Sequence, residues 1–134
     1  MPVKRINPEG LLHWPPLTHV VISPAGRLAH IAGQAAVDPS FNVIGTDLRT
    51  QTAFAFKNLC TALAAAGSQP KDVVSTTIYI VELDEAKASI VAAAMEIVLD
   101  GQPFPSHANT MVGVASLASA AALIEISAIA AVLE

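Results

Sequence analysis

Between residues 48 and 66 apolar and small side chains return every three or four positions. Leu48, Thr52, Ala55, Phe56, Leu59, Leu63 and Ala66 fall on one helical face, while Gln51, Lys57, Asn58 and Thr61 fall mostly elsewhere. Asp47 stands where an N-cap belongs, and Gly67 stands where a left-handed C′ residue belongs. The pattern predicts a helix that starts after Asp47 and stops at Gly67. A second helix is predicted in "DEAKASIVAAAMEIVL" (84–99), capped by Asp84 and ended near Gly101. Asp84 and Glu85 read as acids of a helix start, not as a catalytic pair.

Elsewhere the period is two. "KDVVSTTIYIV" (71–81) is β-branched and aromatic; Val74, Thr76, Ile78 and Ile80 share one face, and Val73, Ser75, Thr77, Tyr79 and Val81 share the other. Further strands are predicted in "LTHVVIS" (17–23), "LAHIAGQAAV" (28–37), "NTMVGVASL" (109–117) and "ALIEISAIAAV" (122–132). Gly33 inside the second of these marks a bulge or a close backbone approach. "PEGLLHWPP" is a proline-rich entry loop, and turn residues fill 24–27 and 38–45. The order is β-β-α-β-α-β-β, an α+β domain with a mixed sheet and both helices on one face. The other face is left for another subunit.

At 134 residues the chain makes a single domain, 1–134. Apolar residues make up 53% and charged ones 13%. Soluble domains average about 45–50% and about 25%. The excess is read as surface buried between subunits. A membrane span is excluded because the longest apolar stretch, 115–134, carries Glu125 in its middle, and a span needs about 20 nearly uncharged residues. A net charge of −4 without a basic stripe argues against nucleic acid as the main partner. The start lacks the apolar core of a secretory signal, and the single Cys60 has no internal disulfide partner; both point to a reducing cytoplasm. The four histidines lack metal-ligand spacing, and Cys60 reads as a small core residue. No phosphate loop, dinucleotide fingerprint or nucleophile elbow is present.

"AGQAAVDP" (32–39), "QTAFAFKNLCTALAAAG" (51–67), "VVSTTIYI" (73–80) and "IEISAIA" (124–130) resemble, in order and without a large insertion, the Rid family of YjgF-like reactive intermediate deaminases. The resemblance implies a chorismate-mutase-like fold, a homotrimer and ligand clefts between subunits. It implies metal-free hydrolysis of enamines or imines, such as 2-aminoacrylate, to a ketone and ammonia. In such members an Arg before the penultimate strand holds the substrate carboxylate, and a Glu on the last strand orients water. A planar guanidinium suits a carboxylate because its fork pairs both oxygens.

Four positions depart from that pattern. Counted from Pro105, the Arg position holds His107; counted back from "VGVASL", it holds Asn109. The water-orienting Glu position holds Ser127, while Glu125 matches the family's other acidic position. Leu17 stands where a Tyr is frequent, and Ile90 where an Asn is frequent. Asn109 and Thr110 are candidate hydrogen-bond donors to a carboxylate; their plainer reading is self-capping of the loop. His107 is a candidate clamp or acid–base group, with a solvated loop histidine as its plainer reading. Gly33 and Gln34 are candidate cleft-lining residues. Glu125 points away from the side of Ile124 and Ile126, to hold water, a subunit contact or a structural charge pair. The side taken by Ser127 depends on whether the strand is bulged.

The expectation that follows is a cytoplasmic homotrimer that deaminates a carboxylate-bearing enamine or imine other than 2-aminoacrylate, such as a 2-aminomuconate-like compound. One alternative is a small-molecule-binding homologue without turnover. The other is an RNA-acting protein, after the translation-inhibitor and endoribonuclease labels of some relatives, which the negative charge disfavours.

Overall fold

The computed structural model describes residues 2–133. Its elements are β1 (Lys4–Ile6), β2 (Val20–Ile22), β3 (Arg27–Ala35), α1 (Leu48–Ala65), β4 (Val73–Val81), α2 (Glu85–Met95), β5 (Ala108–Val114) and β6 (Ile124–Val132). Strands β3, β6, β4 and β5 form a four-stranded sheet in that order. β4 and β5 run parallel, while β6 is antiparallel to both β3 and β4. This is the mixed α+β sheet that the alternation of patterns predicts. No helix among the described residues is long and apolar enough to cross a membrane.

Both helices lie on one face of the sheet. Phe56, Leu59 and Leu63 of α1 and Val91 and Met95 of α2 are buried with Ile78 and Ile80 of β4 and Ile124 and Ile126 of β6. Each such side chain contributes about 1.5–3 kcal/mol through burial. The caps form as expected: Asp47 accepts from the Thr50 amide and Asp84 from the Lys87 amide. Gly67 takes a φ of +75° just past the end of α1.

Three expectations are corrected. "LTHVVIS" does not join the main sheet; only Val20–Ile22 is a strand, and it pairs with β1, which the pattern does not predict. Pro15 and Pro16 cannot donate to a ladder, and Leu17 instead makes an isolated parallel bridge with His107. Gln51, placed off the apolar face of α1, is buried. Its side chain donates to the carbonyls of Gly45 and Ala121 and accepts from the Leu123 amide, pinning the entry to β6. α2 ends at Met95, short of residue 99, and the chain then turns through Asp100 and Gly101, both at positive φ.

Candidate functional site

The face of the sheet turned away from the helices carries polar side chains that have no partner among the described residues. Register fixes which residues meet there. Ser75 of β4 lies between Ile129 and Ala108, Thr77 between Ser127 and Thr110, and Tyr79 between Glu125 and Val112. Ser127, Thr77 and Thr110 thus form one row of hydroxyls across three strands. Among the described residues none of these hydroxyls, nor that of Ser75, makes a hydrogen bond. A hollow of about 400 Å³ opens on this face, lined by His30, Ala32, Ser75, Thr77, Ser127 and Ile129 among others.

Glu125 is placed by the bulge in β3. The register of β3 against β6 shifts between Ile31 and Gln34, so the two residues between them, Ala32 and Gly33, face Ser127 alone. A Cβ built on Gly33 would overlap the Glu125 carboxylate. The backbone partner of Glu125 is Ala35, yet its carboxylate lies over Gly33. It therefore leans back along β3 toward Ser127 and the hollow. No hydrogen bond or ion pair from a described residue holds that carboxylate. Gly33 is required here for space, and the bulge expected at this position is present.

The loop before β5 presents the opposite face. His107 is fully buried. Its Nδ1–H donates to the Pro105 carbonyl at 2.9 Å, which leaves Nε2 to accept from the Thr76 hydroxyl at 2.8 Å. The ring meets Phe104 edge-on, with centroids 5.5 Å apart. Burial pushes its pKa down to about 4, against the hydrogen bond to Pro105, which raises it; the charge of Arg5 lowers it further. At neutral pH the ring is uncharged and both nitrogens are engaged. It is neither a solvated loop histidine nor a cation. Asn109 pairs in register with Thr76 and so also faces the helix layer; both polar atoms of its amide are buried without a partner among the described residues. Strand parity explains the result, because positions 107, 109 and 111 share the side on which Met111 packs against the core.

The remaining candidates divide in the same way. Glu125, Ser127, Thr110 and Gly33 come together on the open face. Gln34 lies opposite Ile126 and its amide donates to the Ala32 carbonyl. Leu17 is held at the start of β5 by its bridge to His107. Ile90 is exposed on α2, where it lines a separate groove with Asp47, Leu48 and Arg49 on the outer side of the helices. Cys60 packs against the core, and burial raises its thiol pKa. Three polar lining residues, His30, Ser75 and Thr77, were not singled out from the sequence. The alternation in β4 carries the signal for two of them, since it separates Ser75 and Thr77 from Ile78 and Ile80.

A family model described as "Endoribonuclease L-PSP" matches residues 13–132. The chain is 35% identical over 109 residues to protein mmf2, mitochondrial, of Schizosaccharomyces pombe, covering 80% of this chain and 82% of that one. Among solved structures it is similar to a Rid-family protein of unknown function, YyfB of Yersinia pestis, with a TM-score of 0.87 and 35% identity over 97% of this chain and 98% of that chain. It is also similar to the YjgF gene product of E. coli, with a TM-score of 0.65 and 29% identity over 80% of this chain and 82% of that chain. The shared region takes in the bulge at Gly33, the hollow and all four strands of the main sheet, and the chain belongs to the Rid (YjgF-like) family.

Proposed function

We propose that the chain is a metal-free hydrolytic deaminase of a carboxylate-bearing enamine or imine other than 2-aminoacrylate, with Glu125 in the water-orienting role. The observation that carries the reading is the unpaired Glu125 carboxylate, held over Gly33 at the edge of a hollow lined by neutral hydroxyls. An enamine first takes a proton from solvent on carbon to become an iminium ion, the protonated imine. Water then adds to the imine carbon while Glu125 accepts its proton. The carbinolamine C–N bond breaks, the carbonyl forms and nitrogen leaves as ammonia. Ser127, Thr77 and Thr110 supply hydrogen bonds that position the reactants. A second copy of the chain covers the open face, which gives the uncovered sheet an occupant and encloses the hollow; this is the homotrimer of the family. One feature favours a second reading, a binding homologue without turnover: Ser127 stands where deaminases of the family carry their Glu.

His107 and Asn109 both face the helix layer, so neither supplies a carboxylate clamp on the open face. Losing a bidentate clamp worth roughly 1.5–3 kcal/mol costs at least about tenfold in rate. Ammonia release should therefore rise above background for longer unsaturated imino acids generated in situ, and stay near background for 2-aminoacrylate. Family-level turnover of 2-aminoacrylate would overturn the substrate assignment, and no ammonia from any imine would favour the binding reading.

A further inference from the structure

Arg5 on β1 lies outside this face. Its Nε–H donates to the Ser106 carbonyl at 2.7 Å, and an Nη2–H donates to the Lys71 carbonyl at 2.8 Å. Ser106 precedes β5 and Lys71 precedes β4, and those strands run parallel. The guanidinium thus spans their common starting end. The two carbonyls occupy one edge of its planar fork. The other edge, made by Nη1 and the second Nη2 hydrogen, meets no acceptor among the described residues, and Arg5 is exposed. Among the described residues no carboxylate pairs with Arg5; Glu9 and Asp72, the acids nearest along the flanking segments, do not. The exposed Lys71 adds a second cation at this corner. Thr18 and Ser106 share one hydroxyl hydrogen bond of 2.8 Å beside it, in which only one hydroxyl needs to donate.

We propose that Arg5 heads an oxyanion-binding site for a small carboxylate or a phosphate, taken end-on by the free edge of the guanidinium. Two parallel N–H groups in one plane match the paired oxygens of either group. Anchoring to two backbone carbonyls removes the rotamer freedom that a surface arginine otherwise loses on binding. The site is separate from the hollow. None of Arg5, Thr18, Lys71 and Ser106 lines the hollow. The inference goes beyond the proposed deamination and stands without it.

The test is an NMR titration of the full chain with acetate, and separately with inorganic phosphate, at low salt. Saturable shifts are expected for the Arg5 Nε–H and the Ser106 and His107 amides, weakening as salt is added. Arg5→Gln should weaken binding about tenfold or more, and Arg5→Lys should bind at an intermediate level because it keeps the charge without the fork. Tighter binding of acetate identifies a carboxylate ligand, and tighter binding of phosphate identifies a phosphate. Shifts that do not saturate in the unaltered chain would overturn the site. So would affinity unchanged in Arg5→Lys, whose retained charge also serves if Arg5→Gln loosens the β1–β2 hairpin.

Discussion

The two faces of the four-stranded sheet are built from the same strands and differ by one residue in phase. On the helix side Ile78, Ile80, Ile124 and Ile126 are fully buried, and the one histidine there is neutral and bonded through both nitrogens. On the open side Ser75, Thr77, Thr110, Ser127 and Glu125 have no side-chain hydrogen bond or ion pair among the described residues. In one β-strand, then, odd and even positions answer to different demands: packing on one side, ligand or subunit contact on the other. Asn109 is the exception on the helix side, with an amide buried and unpartnered.

The sharpest break of this comparison is a matched pair of truncations. Ile126→Ala should cost about 2–5 kcal/mol through lost burial and the cavity left behind. Thr77→Ala, on the opposite face of the neighbouring strand, should stay within about 0.5 kcal/mol. Denaturant unfolding of both variants measures the difference, and equal costs would mean that the open face is also structural.

The next effect follows from His107. The unfolded imidazole titrates near 6.5 and the buried one near about 4, so between those values the unfolded chain binds more protons. Stability is therefore full above pH 6.5 and declines as the pH falls toward 4, by about 3 kcal/mol. Asp38 and Asp47 are held low by hydrogen bonds from Asn42 and Thr50, and so lose their protonation-linked stability below that window. Unfolding free energies across pH 4–7, with the His107 ring followed by NMR, test this. A flat profile would return His107 to solvent.

How much of this was legible follows from where the signals are local. Both caps and the apolar residues of the α1 face depend on neighbours in sequence and appear as predicted, with Gln51 the departure, and Gly33 marked the bulge. Ser127 and Glu125 were candidates through the family resemblance, and the alternation of β6 gave the side of Glu125 but left that of Ser127 open. The fate of His107 and Asn109 was not readable, because it depends on where β5 begins and on the Thr76 hydroxyl 31 residues away. The carboxylate of Glu125 leans over Gly33 only because two strands distant in sequence pair with a shifted register, and the anchors of Arg5 lie 66 and 101 residues away.

The central claim is that the open face does the chemistry and that Glu125 is its proton acceptor. Glu125→Gln removes that role while keeping the shape of the side chain, and the free carboxylate gives up no partner within the described residues. Steady-state ammonia release from an imine that the unaltered protein processes, compared with this variant, tests the claim most directly. The account predicts a fall in kcat of about 100-fold or more with the unfolding midpoint essentially unchanged. Turnover undiminished in Glu125→Gln would contradict it.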